Sequence, residues 1–188
     1  CTQTTTSPAT NAAIARILDK LGISLVVSPG SGCCGALSHH LGAHDGGMDY
    51  MRRNIDAWWP AIQEGAEAIV ISASGCGAVV QEYGIHLKND PVYAQKAARI
   101  SELTRDISEV IAIEDLSNLS IKPGKDKIAL HIPCSLQHAM GLPDSVTAIL
   151  KKAGFSLAKT SEDHLCCGSA GSYSLLQPEM SSRLLARK

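Results

Sequence analysis

The sequence predicts an α/β fold built from two tandem copies of one small unit. Three observations carry that prediction. The triplets Cys33-Cys34-Gly35 and Cys166-Cys167-Gly168 each follow an earlier cysteine, Cys1 and Cys134, after the same 31 intervening residues. Leu18 to Leu25, reading Leu-Asp-Lys-Leu-Gly-Ile-Ser-Leu, resembles Leu150 to Leu157, reading Leu-Lys-Lys-Ala-Gly-Phe-Ser-Leu, so the duplication extends past the cysteines. Short apolar runs also alternate with helical periodicity, as in parallel-sheet units whose functional loops lie at strand C-terminal ends.

In the first copy, Pro8 and Asn11 precede Ile14, Ile17, Leu18 and Leu21 on one helical face, and Gly22 ends that helix. Ile23 to Val27 reads as a buried strand. The loop Pro29-Gly30-Ser31-Gly32 then delivers Cys33-Cys34-Gly35. A short helix is expected over Ala36 to Leu41 and a longer one over Met48 to Glu64. Ala68 to Ser72 is the next strand, leading into Ser74-Gly75-Cys76-Gly77 and a helix from about Ala78. Pro91 to Ile111 reads as one helix.

The composition of Glu114 to Lys125 is that of a linker, which divides the chain into a first repeat (1–113), a linker (114–125) and a second repeat (126–188). In the second repeat, Lys127 to His131 is a strand, Pro133-Cys134 a loop and Asp144 to Ala153 a helix ended by Gly154. Phe155 to Leu157 is another strand, and a helical region crosses Pro178. By this comparison repeat one lacks the strand before Cys1, and repeat two lacks the counterpart of Ala68 to Cys76. Both ends are expected to be truncated, as in a piece of a longer protein.

The chemistry resides in the cysteines. Thiolates are soft ligands suited to zinc and to iron–sulfur clusters. Two adjacent cysteines are awkward around one small tetrahedral ion, whereas a cluster of several irons can take both. Gly35 and Gly168 permit unusual dihedrals and let backbone N–H groups approach sulfur. Cys1, Cys33, Cys34 and Cys76 are the candidate ligands of the first repeat; Cys134, Cys166 and Cys167 are those of the second. Buried free thiols would explain neither the doublets nor the repeated spacing, and seven cysteines leave one over from any full set of disulfides. A structural zinc module remains open.

Gly30-Ser31-Gly32-Cys33-Cys34-Gly35 is also a literal dinucleotide-binding pattern. Its equivalent, Asp163-His164-Leu165-Cys166-Cys167-Gly168, lacks the first two glycines, so Cys-Cys-Gly is what the duplication keeps. Of the histidines, His40 and His44 stand four apart and could face one ion on a helix, while His39 and His40 could not. A surface or supporting role is the simpler expectation for them. Arg52, Arg53 and Arg105 are expected on solvated helix faces, and Trp58-Trp59 in the core or at a subunit interface. A net charge of −1 gives no basic excess for nucleic acid. No apolar run approaches the roughly 20 residues of a membrane span.

The repeated pattern resembles the cysteine-rich CCG-domain family. The resemblance rests on Ser31 to Ala36, Arg52 to Trp59, Ser74 to Gly77 and Leu165 to Gly171, and covers essentially the whole chain. It is nearest to the family's glycolate-oxidising members, with heterodisulfide-reductase-like and lactate-utilisation members as alternatives. The resemblance implies [4Fe–4S] clusters and a share in a glycolate oxidase complex, with electron transfer here and catalysis on partner subunits that hold flavin. It further implies an N-terminal ferredoxin-like part, absent from this sequence, and a location in the cytoplasm or at the inner face of the membrane. Val79 stands where the heterodisulfide reductase form completes a Cys-x-x-Cys, which favours a four-cysteine cluster.

Overall fold

The computed structural model describes residues 2–162 and 164–188; Cys1 and Asp163 lie outside the described residues. Helices dominate an α/β architecture. The first half runs α1 (Thr2–Thr6), α2 (Pro8–Lys20), α3 (Ala36–His40), α4 (His44–Gln63), β1 (Ile69–Ile71), α5 (Ser74–Gln81), α6 (Tyr83–His86), α7 (Ala94–Leu103), β2 (Thr104–Asp106) and α8 (Ile107–Ile113). After a 3-10 turn at Leu116–Asn118, the second half has a π-helical turn at Ser135–Ala139, then α9 (Ser145–Lys152), α10 (Tyr173–Leu176) and α11 (Pro178–Arg187). Among the described residues no helix is long and apolar enough to cross a membrane.

Helix α2 starts with Pro at its first turn, where the missing N–H costs nothing. It ends at Gly22, whose φ of 75° lets the Ile23 N–H return to the Leu18 carbonyl at 2.9 Å. The second copy repeats this stop: Gly154 has φ 84° and the Phe155 N–H reaches the Leu150 carbonyl at 2.9 Å. The duplication seen in the sequence is therefore a duplication of backbone geometry.

The sheet departs from expectation. β1 pairs in parallel with β2, Ile69 opposite Thr104 and Ile71 opposite Asp106. β2 interrupts what the sequence suggested was one helix from Pro91 to Ile111. Its cause is a capping box: the Asp106 side chain accepts from the Ser108 N–H, the Glu109 carboxylate accepts from the Asp106 N–H, and a new helix starts there. Arg105 accordingly sits on a strand, not a helix, and folds back onto the carbonyls of Glu102 and Thr104.

Ile23 to Val27 forms no strand. Leu25, Val26 and Val27 are exposed, because a strand needs a neighbour to satisfy its N–H and C=O groups and none of the described residues provides one. Lys127 to His131 is likewise reduced to a single parallel bridge between Ile128 and Leu157. Two helices start earlier than predicted, α4 at His44 and α5 at Ser74, so Cys76 lies inside α5 and not ahead of it.

The core belongs to the first half. Met51 and Ile55 of α4, Val79 and Val80 of α5, Tyr83 and Leu87, and Ala97 and Ile100 of α7 close around Cys34. Burying each large apolar side chain contributes about 1.5–3 kcal/mol. Trp58 stacks on Tyr83 at 6.3 Å along the edge of this core. The halves touch through α8 and α9, where the Ser108 hydroxyl donates to that of Ser145 at 2.9 Å.

Candidate metal centre

The Cys-Cys-Gly turn of repeat one is built into the core by two side chains. Asn54, on the buried stripe of α4, accepts from the Gly32 N–H at 2.8 Å and donates to the Cys33 carbonyl at 2.8 Å. Its second N–H donates to the Tyr83 hydroxyl at 3.1 Å, and that hydroxyl donates to the Cys34 carbonyl at 2.9 Å. Both side chains are fully buried, so the backbone polar groups beside both cysteines are satisfied without water. Gly35 completes the turn at φ 86°, where a Cβ would stand 2.5 Å from the Gly47 carbonyl oxygen on α4. Only glycine fits such a position.

Cys34 is 7% exposed and its thiol is hydrogen-bonded to that of Cys76, in the first turn of α5, with Cys33 alongside. The bond from Cys76 draws the Cys34 thiol down to about 6 against the opposing effect of burial, with further help from the Ala36 N–H. The same bond, and then burial, pushes the Cys76 thiol far up. The interaction thus favours the thiolate at Cys34 and the thiol at Cys76. Burial pushes the Tyr83 hydroxyl up, so it stays a donor.

The chain next to Cys1 is tied to the same end of β1. The Gln3 amide donates to the Ser72 hydroxyl at 3.0 Å, four residues before Cys76. Cys1 itself lies outside the described residues.

Repeat two reproduces the turn but not its setting. Gly168 has φ 79°, a Cβ there would stand 2.5 Å from the Ser181 carbonyl oxygen on α11, and the Ser181 hydroxyl donates to the Gly168 carbonyl at 2.9 Å. The Gly168 N–H points at the Cys166 sulfur at 3.4 Å, as expected of a glycine that admits backbone N–H groups to thiolate. Cys166 is exposed and Cys167 half-buried. Cys134, also exposed, opens the π-helical turn that rests on α5: the Ser135 and Ser74 hydroxyls bond at 2.7 Å, and Met140 lies against Gly77. The loop of one repeat's first cysteine therefore abuts the helix of the other repeat's last.

Among the described residues no three His, Cys, Asp or Glu side chains surround one point closely enough to hold a bare ion. The donor chemistry suits a larger group: soft sulfur, backbone N–H groups aimed at it, and no carboxylate in the network around the turn. Val79, where a further cysteine would complete a Cys-x-x-Cys, is 3% exposed and part of the apolar core.

Asn54 and Tyr83 were absent from the sequence-based candidates. Their signal is an amide and a phenol on stripes that otherwise read Met51, Ile55 and Trp58, and Val79, Val80 and Leu87. Of the arginines on α4, Arg52 differs from expectation, partly buried between Asp49 at 2.7 Å and Asp90 at 2.9 Å, whereas Arg53 is exposed as expected and lies over the Tyr50 ring and beside Gly32.

The cysteine-rich domain named CCG matches residues 1–81 and 128–188, the two segments that carry the paired cysteines. The chain belongs to the cysteine-rich CCG-domain family. Over its full length this CCG chain is 52% identical to the glycolate oxidase iron-sulfur subunit of Escherichia coli K12, of which it covers 46%. It is 30% identical over 181 residues to the probable glycolate oxidase iron-sulfur subunit of Bacillus subtilis, covering 40% of that protein. It is 27% identical over 181 residues to lactate utilization protein A of Bacillus licheniformis, covering 72% of that protein. The chain thus spans less than half the length of the two glycolate oxidase relatives.

Proposed function

We propose that this CCG chain is the cluster-holding, electron-carrying part of a glycolate-oxidising complex, in which partner subunits bearing flavin take hydride from the 2-hydroxy acid. The observation that carries the reading is the pairing of buried Cys34, on a turn fixed by Asn54 and Tyr83, with half-buried Cys76, in a chain 52% identical to a glycolate oxidase iron-sulfur subunit. Cys1, Cys33, Cys34 and Cys76 would hold one [4Fe–4S] cluster, and Cys134, Cys166 and Cys167 would belong to a second. Bound there, such a cluster supplies one-electron storage and transfer.

The residues of this chain then have distinct tasks. Asn54 and Tyr83 orient the Cys33–Cys34 backbone, and their burial keeps water from its carbonyls. The Ala36 N–H stabilises negative charge on Cys34, as the Gly168 N–H does on Cys166. The contact between Ser74 and Ser135 holds the two cysteine-bearing elements side by side, which suits electron passage from one repeat to the other. Any membrane association would come through partner subunits.

Anaerobic purification of the full-length protein with iron and sulfide analysis and EPR tests this. Cys33→Ser and Cys76→Ser are each expected to lower iron per chain. A colourless, EPR-silent protein containing zinc and no iron or sulfide would overturn the reading. Unchanged iron in both variants would overturn the ligand set.

A further inference from the structure

Three helices around the first Cys-Cys-Gly turn carry imidazoles that the cysteine site does not use. His39 lies in the last turn of α3, His44 is the first residue of α4, and His86 is the last of α6. The chain turns between α3 and α4, so the ring that meets His44 is that of His39, and not that of His40 as a continuous helix would have it. The His39 ring lies 4.6 Å from that of His44 and 4.2 Å from that of His86.

The nitrogen positions are informative. Nδ1 of His39 and Nδ1 of His44 are 3.4 Å apart, long for a hydrogen bond. Two nitrogens each about 2.0–2.1 Å from one tetrahedral ion are about 3.3–3.4 Å apart. Nε2 of His86 is buried without a hydrogen-bond partner, and the Glu82 carboxylate lies 3.5 Å from it. An orphaned ring nitrogen of this kind is uncommon in a folded interior. Burial, and then the charges of His86, His44 and His40, hold the His39 pKa below its usual value, which leaves a neutral ring with a free lone pair.

We propose that His39, His44 and His86, with Glu82 as fourth ligand, form a second metal site, distinct from the thiolates, that takes one divalent transition ion of the zinc type. Imidazole and carboxylate are the ligands such ions accept. His39 and His44 already stand at ligand spacing. As they stand the side chains do not surround one point; metal binding would turn the His86 ring about its Cβ–Cγ bond, a broad torsion, and swing the exposed Glu82 side chain inward, giving the unpartnered His86 nitrogen a ligand role. His44 and Glu82 are exposed, so the ion has a way in. Filled, the site would pin α3 and α4 to α6, the helices on either side of Cys34.

The test uses the cluster-loaded protein, stripped of adventitious metal with a mild chelator and titrated with Zn2+ alone against a chromophoric competitor. Wild type is expected to take up Zn2+ with nitrogen and oxygen neighbours at the zinc edge and to melt at a higher temperature once loaded. His44→Ala changes an exposed residue and is expected to fold normally. It and His86→Ala should each weaken that uptake by more than about tenfold, the least that even an outer-shell partner is worth, with iron per chain unchanged. Zn2+ uptake identical in wild type and both variants, or no uptake by wild type, overturns the proposal. Since the readout is zinc held by histidine, a failure of the cluster reading would appear separately, as missing iron.

Discussion

The two Cys-Cys-Gly turns share a backbone and differ in surroundings. Gly35 and Gly168 have φ of 86° and 79°, and at each a Cβ would meet a helix carbonyl at 2.5 Å. Yet Cys34 is 7% exposed inside a nine-residue buried cluster, while Cys166 is exposed and, among the described residues, Leu136 is the one buried apolar side chain of the second family segment. A turn of this kind is fixed by a glycine and one helix. Burial of the cysteine needs more: β1, α5 and α6 behind it, and the Asn54–Tyr83 clamp. Only the first repeat has these elements among the described residues.

The largest expected effect breaks that clamp. Asn54→Leu keeps the volume but strips partners from the Gly32 N–H, the Cys33 carbonyl and the Tyr83 hydroxyl. At about 1–3 kcal/mol for each buried group left unpaired, urea unfolding should show a loss of about 3 kcal/mol or more. A loss below about 1 kcal/mol would mean that water replaces the amide and the turn is not clamped as described.

The glycines give the direct comparison. Alanine at either must adopt a left-handed backbone, at about 1–2 kcal/mol. Gly168→Ala should cost near that figure, since α11 has no buried residue and can shift away. Gly35→Ala should cost more, because Gly47 is buried on a helix that the core holds in place. Equal losses in thermal or urea unfolding would show that the second turn is as firmly backed as the first. Tyr83→Phe sharpens the point: it removes one hydroxyl between Cys34 and Asn54 and should cost about 1–2 kcal/mol, with the fold intact by circular dichroism.

The sequence revealed most where structure is local. The duplicated stops at Gly22 and Gly154, the β1 run and the two cysteine turns were all legible. What escaped depends on partners distant in sequence. Leu25 to Val27 has the composition of a strand, but composition cannot provide a neighbour to pair with. β2 was hidden because the apolar spacing of α7 continues into α8; Asp106-Ile107-Ser108-Glu109, a capping signature in mid-run, was the overlooked sign. Asn54 and Tyr83 could be read only as exceptions on apolar stripes, since their purpose lies some twenty to fifty residues away in the Cys33–Cys34 backbone.

The smallest effect concerns acid sensitivity, where the repeats again differ. Asp90, before α7, accepts from the Val92 and Tyr93 N–H groups at 3.0 Å each and from Arg52 of α4 at 2.9 Å, joining two helices of the first core. Asp144, before α9, caps its helix without a side-chain hydrogen bond. The Val92 N–H first, with Arg52 and the Tyr93 N–H, holds the Asp90 carboxyl below its ordinary 3.8. A depressed carboxyl pKa contributes stability above the unfolded value and loses it as pH falls through the folded one. Asp90→Asn should therefore lower the urea midpoint at neutral pH, and the gap from wild type should close below pH 3.8. A gap for Asp90→Asn that persists in acid would assign its effect to the neutral side chain's packing and not to the carboxylate that joins α4 to α7.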